Sequence, residues 1–340
     1  MSTSEPVLVY GASGHTGRFV VDELLRRGLA PVLAGRSADR LAGAGPRDLE
    51  RRTFGLDDPG RLRDSLEDVA AVVNCAGPFL DTALPLARAA VDAGAHYLDV
   101  TAEQHVVRDL YAELDGPARA AGVAVVPAMA FYGGLADLLV TAALDGETRA
   151  DEIDVVIGLD RWWPTAGTRA TGARNTFARQ VIRDGRLAPL PDPAPTGTWD
   201  FPAPLGEQPV VQLPFSEVIA IDRHLHVGEL RSHLNTAPLD DLHDASTPPP
   251  TATDDRGRSA QRFVVDVVVR RGADVTRATV AGRDIYAVTA PIVVEGVTRL
   301  LDGRHRVAGA AAPGAAFDAG GVLAALESDV EGLEVREAVG

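Results

Sequence analysis

The 340 residues are 46% hydrophobic and 24% charged, the composition of a soluble globular chain long enough for two domains. A net charge of −15 argues against general nucleic-acid binding and against anionic membranes, while leaving room for a small anion at a local basic site. The single cysteine, Cys75, excludes an internal disulfide and fits a reducing interior. The start, M-S-T-S-E-P, lacks the pattern of a signal peptide. The uncharged stretch 120–136 is broken by Pro127, Gly133 and Gly134 and reads as strand plus loop, so no membrane partner and a cytoplasmic location are expected.

Residues 7–17 read V-L-V-Y-G-A-S-G-H-T-G. Four apolar residues suit a buried parallel strand, and Phe19, Val20, Leu24 and Leu25 then recur at helical spacing. Gly11 permits the sharp turn, Gly14 lets backbone approach a ligand, and Gly17 lets the helix pack on the strand. The free N–H groups at the helix start favour an anion. A dinucleotide pyrophosphate is therefore expected here, lined by Ser13, His15 and Thr16. A second strand, 31–35, ends at Arg36 and Ser37, about 20 residues beyond the glycines, where NAD-binding units place an acidic residue on the ribose. Arginine suits a 2′-phosphate instead, so NADP is expected over NAD. Ser37 is expected to add a contact and to cap the next helix.

Strands at 51–56, 69–74, 96–101 and 123–127 alternate with helices at 57–67, 82–94 and 103–122, which points to a parallel sheet. The loop N-C-A-G-P-F at 74–79 lies at the sheet's carboxyl edge, where such sheets bind ligands; Asn74, Ala76, Gly77 and Pro78 are expected to border the cofactor ribose. Cys75 reads as a small buried hydrophobe rather than a nucleophile. A-M-A-F-Y-G-G follows the last strand, before a helix at 135–144. Composition changes after Gly146. Residues 153–160 read as a strand, 167–183 as a helix, 189–209 as a proline-rich irregular stretch, 240–257 as a surface loop, 262–270 and 274–281 as a hairpin, and 287–301 and 319–327 as helices.

The segments V-Y-G-A-S-G-H-T-G-R, L-A-G-R-S, V-N-C-A-G-P-F, H-Y-L-D-V-T-A-E and V-P-A-M-A-F-Y-G-G, in this order, make the chain resemble the saccharopine dehydrogenase-like oxidoreductases, trans-acting enoyl reductases among them. G-T-R-A-T-G at 167–172 and A-P-G-A-A-F-D at 312–318 are weaker echoes. Departures fall at Ser13, His15, Ala102 and the stretch 127–132. The resemblance implies an α/β fold with three parts. A Rossmann domain spans 1–146, an inserted α/β domain for substrate and dimerisation spans 147–285, and a segment at 286–340 packs back on the first domain. It also implies hydride transfer from NADPH to a C=N or activated C=C bond, as a homodimer.

Asp99 and Thr101 share one side of their strand; Asp99 suits either a ribose hydroxyl and proton relay or a helix cap. Glu103 reads as a charge favoured by a helix start. Phe131 and Tyr132 suit the nicotinamide pocket, with Tyr132 the expected proton donor against plain packing. Trp162, Trp163, Arg169 and Thr171 are the expected substrate wall, and Arg169 its anchor for a small, anionic substrate. His224, His226, Arg231 and His233 read as a surface or interface cluster, with no metal expected. The competing reading is a cofactor-binding sensor without turnover.

Overall fold

The computed structural model describes residues 5–339; the expectation at the start of the chain falls on residues 1–4, outside them. Six of the seven strands of the first sheet are β1 (Pro6–Tyr10), β2 (Ala30–Gly35), β3 (Arg51–Thr53), β4 (Ala71–Asn74), β5 (His96–Asp99) and β6 (Ala124–Val126). Its helices are α1 (His15–Arg26), α2 (Ala38–Ala42), α3 (Pro59–Asp64), α4 (Phe79–Asp92), α5 (Gln104–Ala121) and α6 (Gly134–Ala143). These strands pair in parallel in the order 6-5-4-1-2-3, the doubly wound arrangement whose switch point lies between β1 and β4. The central strands β1 and β4 are largely apolar because helices cover both faces: Val7, Leu8, Val9, Val72 and Val73 are fully buried.

The second unit holds β7 (Arg149–Leu159), α7 (Ala166–Arg174), β8 (Gln180–Arg183), β9 (Arg186–Pro189), β10 (Thr196–Phe201) and β11 (Gly206–Gln212). It continues with α8 (Glu217–His224), β12 (His226–Asn235), α9 (Ala237–His243), β13 (Arg262–Arg271) and β14 (Asp274–Arg283). The chain ends with α10 (Ile285–Leu301), β15 (Gly309–Ala310), α11 (Pro313–Ala316), α12 (Ala319–Asp329) and β16 (Glu334–Val339). The second sheet runs β10-β11-β12-β7-β13-β14-β16, with β8 and β9 off one side, and is antiparallel except between β12 and β7.

Three expectations are corrected. The helix read over 167–183 stops at Arg174, because Gln104 on α5 captures both the Gln180 amide and carbonyl and holds that segment extended as β8. The proline-rich stretch forms the β10–β11 hairpin: Pro202 and Pro204 fall between the strands, and Pro209 precedes the first β11–β12 pair, so no ladder bond there is lost. The C-terminal segment does not pack wholly on the first domain. β15 extends the first sheet beside β6 and α10 lies against α1, but β16 pairs with β14 in the second sheet. Among the described residues no helix is long and apolar enough to cross a membrane.

Candidate functional site

Between the carboxyl edge of the first sheet and the second unit lies a cavity of about 560 Å³. Its sheet-side wall holds Thr16, Cys75, Gly77, Val100, Glu103, Phe131 and Tyr132; the opposite wall holds Trp162, Thr168, Arg169, Thr171, Arg179, Phe215 and Leu242, with Tyr286 of α10 between them.

The glycine loop is shaped for a ligand beside this cavity. Gly11 takes φ +85, and a Cβ there would meet the Ala76 amide at 2.9 Å, so the loops after β1 and β4 touch at the switch point. A Cβ on Gly17 would lie 2.2 Å from the Gly11 carbonyl oxygen; only glycine lets α1 start so close to the turn. Gly14 is exposed, and a Cβ there would meet only that oxygen, at 3.1 Å. Gly14 therefore leaves one side open, and the first-turn amides of α1 have no side-chain cap there. Arg36 ends β2 exposed, with no hydrogen bond or ion pair among the described residues. Ser37 caps α2, its Oγ accepting from the Arg40 amide at 3.4 Å. Ser13 and Thr16 are half-buried on the loop. The His15 ring turns inward, edge-on to Phe19 and Tyr286 at 5.3 Å, and its Nε2 is buried without a partner.

Several predicted site residues are committed elsewhere. Asn74 donates to Thr82 and to the Tyr97 hydroxyl and accepts from the Ala76 amide, so its amide shapes the loop after β4 and is not free to border a ribose. Asp99 is fully buried and accepts from the Tyr97 hydroxyl (3.0 Å), the Thr101 amide (3.1 Å) and the Ala128 amide (2.8 Å). Burial pushes its carboxyl up to about 6, against those donors. It lies outside the cavity and acts as a positioning residue: Ala128 sits in the left-handed region at φ +56, and Asp99 holds the loop that carries Phe131 and Tyr132. The Thr101 hydroxyl is spent on Glu103. Ala76 and Pro78 flank the cavity-lining Gly77.

On the opposite wall, Trp162 donates from its indole N–H to the Tyr286 hydroxyl at 3.0 Å, and Tyr286 also meets the Thr168 hydroxyl at 2.9 Å. Asp284 caps α10 through the Tyr286 and Ala287 amides and so fixes Tyr286 in place. Thr171 Oγ1 stands 2.7 Å from where a Gly77 Cβ would be. Trp163 lies outside the cavity, under the Arg161 guanidinium at 5.0 Å. The anchor expected at Arg169 is corrected: its guanidinium donates to the carbonyls of Leu242, Asp244 and Thr247 and pins that loop. The histidines and arginine of 224–233 do not form one cluster: His224 pairs with buried Asp137 on α6 at 2.7 Å, while Arg231 pairs with Asp154 and Glu152 across β12 and β7.

Tyr132, Glu103 and Arg179 each keep polar atoms of the cavity uncommitted. The Tyr132 hydroxyl is buried without a partner, and burial, with Tyr286 and Glu217 nearby, raises its pKa well above the ordinary tyrosine value, against Arg179. Glu103 is 1% exposed; Oε2 accepts from the Thr101 hydroxyl at 3.2 Å, and Oε1 has no partner. Burial pushes its carboxyl up to about 7, against Thr101 and the Phe79 amide. Arg179 forms no ion pair among the described residues. Sequence reasoning took Glu103 for a helix-start charge, although H-Y-L-D-V-T-A-E ends on it, and missed Arg179, which the expected helix concealed. Burial pushes the Cys75 thiol far up, with Asp99 adding to it, so this cavity-lining cysteine is no nucleophile.

Residues 7–126 match the family model of the saccharopine dehydrogenase NADP binding domain. A probable mitochondrial saccharopine dehydrogenase-like oxidoreductase of Arabidopsis thaliana is 31% identical over 147 residues, 37% of this chain and 32% of that protein. The trans-acting enoyl reductase of Mycobacterium bovis is 29% identical over 201 residues, 52% of this chain and 48% of that protein. The chain thus spans about a third to a half of the length of these curated relatives. A solved structure of saccharopine dehydrogenase (L-Glu forming) from Saccharomyces cerevisiae superposes with TM-score 0.69 over 99% of this chain and 100% of that one, at 13% identity, so the fold is shared. The first domain therefore matches the NADP binding domain of the saccharopine dehydrogenase family, and the chain as a whole shares the fold of saccharopine dehydrogenase.

Proposed function

We propose that the chain is an NADPH-dependent reductase acting on a C=N or activated C=C bond of a small metabolite held in the inter-domain cavity. The observation that carries this reading is the partnerless Glu103 oxygen, buried in a cavity that adjoins the glycine loop. Gly11, Gly14 and the start of α1 would hold the pyrophosphate and Arg36 the 2′-phosphate. Bound NADPH supplies a hydride. Glu103 carries the matching proton: a carboxyl near 7 is poised to lose a proton at neutral pH, whereas the raised Tyr132 hydroxyl stays protonated and serves as a hydrogen-bond donor to the reacting heteroatom or carbonyl. Phe131, Trp162 and Phe215 exclude water from the chamber.

The test is NADPH oxidation over a panel of 2-oxo acids with ammonium or alkylamines, which form imines in solution, and of 2-enoates. The reading expects turnover with one of these classes, slowed in Glu103→Gln while NADPH still binds. Tight NADPH binding with no oxidation on any compound would support a cofactor-binding sensor in its place.

A further inference from the structure

The chain contains no lysine; all 33 of its Lys+Arg residues are arginines. Three of them stand on or beside the second-unit side of the cavity. Arg169 is consumed by three carbonyls, and Arg174 by both oxygens of Asp81. Arg179 is placed differently. The clamp of Gln104 on Gln180 fixes the backbone beside it, its Nη1 donates to the Pro214 carbonyl at 2.5 Å, and its guanidinium lies 5.1 Å from the Phe215 ring centroid. A guanidinium has five N–H donors in a flat fork, and one hydrogen bond leaves most of that fork unused. Burial lowers its pKa, against Glu217 and Tyr132, and an arginine so placed keeps its charge.

The structure assigns to Arg179 the role of substrate anchor, and to the cavity a substrate that is an apolar monoanion, one carboxylate on an apolar body. This inference rests on the reading of the cavity as the substrate chamber. One cation without an ion pair among the described residues matches one anion. The surface around it is formed by Trp162, Leu213, Phe215, Leu239, Leu242 and Ile285, which offer area and no charge. A second carboxylate would find no other free arginine among the cavity-lining residues, since Arg169 is occupied. An α-ammonium group would need an anion, yet the one carboxyl among the cavity-lining residues, Glu103, is held largely uncharged up to about 7. An amino acid is therefore disfavoured at its ammonium end.

Calorimetry on the NADP⁺-loaded protein tests this with defined probes: 3-phenylpropanoate and 4-methylpentanoate as apolar monoanions, 3-phenylpropanamide as the neutral match, and phenylalanine as the amino acid. Both monoanions are expected to bind saturably and more tightly than the amide or phenylalanine. Arg179→Gln should weaken the monoanions roughly tenfold or more, toward the amide's affinity, and Arg179→Lys should weaken them less. NADP⁺ affinity and thermal midpoint, measured on the same samples, report the fold. The assignment is overturned if neither monoanion binds, if the amide binds equally well, or if Arg179→Gln leaves the monoanions unaffected. It is also overturned if NADP⁺ binding falls in step with theirs, which would make Arg179 a cofactor-phosphate contact. None of these outcomes depends on turnover, so a failed reductase assay and a failed anchor remain separate results.

Discussion

The sheet-side wall of the cavity is made of loops that each follow directly on a strand of one parallel sheet: 11–17 after β1, 75–79 after β4, 100–103 after β5 and 128–134 after β6. The opposite wall is collected from α7, the residue before β8, the loop at 213–215 and α9, which are far apart in the chain and belong to different parts of the second unit. Both walls divide their polar groups in the same way, between those that build loops and those left free. Asn74, Asp99 and Thr101 spend theirs on building loops, and Arg169 does the same across the cavity. Tyr132 keeps its hydroxyl unspent, Glu103 one carboxyl oxygen, and Arg179 all of its guanidinium but the one N–H on the Pro214 carbonyl. An unmatched buried polar group costs stability, so the places where this protein tolerates that cost are the places to look for chemistry.

The largest expected effect of breaking this contrast is at Glu103. Glu103→Gln should lower the reductase rate by about 10²–10⁴-fold. The wild-type rate should fall as pH rises through about 7, where the carboxyl loses the proton it must donate, and the variant should lack that limb. A pH profile unchanged by the substitution would move the proton to another group. At Arg36, exchange for Asp should weaken NADPH by roughly 1.5–3 kcal/mol, the worth of a charge-assisted contact, and spare NADH. Equal affinities of the wild type for the two cofactors would remove Arg36 from the 2′-phosphate.

The glycines separate shape from ligand. Gly17→Ala, whose Cβ would press on the Gly11 carbonyl at 2.2 Å, should lose about 1–3 kcal/mol of stability, as overpacking does. Gly14→Ala, with its nearest atom at 3.1 Å, should melt close to wild type and bind NADPH poorly. Urea melts and calorimetry on the pair check this, and the reverse pattern would exchange the two roles. The smallest effect concerns Asp99. Its carboxyl is raised to about 6 when folded, so the folded state holds that proton more tightly than the unfolded chain, and stability should fall as pH rises from about 4 to about 6. Asp99→Asn should flatten that slope by on the order of 1 kcal/mol, seen in urea midpoints across the range, and leave NADPH binding intact. An unchanged slope would mean that Asp99 titrates as an exposed carboxyl.

What could be read from the sequence follows the same division. The V-L-V-Y-G-A-S-G-H-T-G turn and the strand–helix alternation up to Val126 are local signals, each resolved within one turn or one strand, and the first sheet follows them strand for strand. The position of Arg36, directly after β2, was legible for the same reason, since it stands at a fixed distance from the glycines. Glu103 was visible but misjudged, because a glutamate at a helix start has an ordinary electrostatic explanation and only burial distinguishes it. Arg179 was not legible: what makes it special is that Gln104, 76 positions from Gln180, stops a helix, and that the neighbouring arginines are occupied by carbonyls and Asp81. Those are contacts between distant segments, and neither periodicity nor spacing carries them. The Pro-rich 189–209 region misled in the opposite direction, since Pro202 and Pro204 sit between its strands and Pro209 of β11, opposite Thr198, stands ahead of the first β11–β12 pair.

The central claim is that the glycine loop and the cavity form one site, with the redox chemistry done between the two walls. A crystal structure of the NADP⁺ complex tests it most directly. The account predicts the 2′-phosphate on Arg36, the pyrophosphate over Gly14, and the nicotinamide ring inside the cavity with one face toward Glu103 and Tyr132, leaving Arg179 free of phosphate. A nicotinamide lying outside the cavity, or a pyrophosphate bound by Arg179, would contradict it.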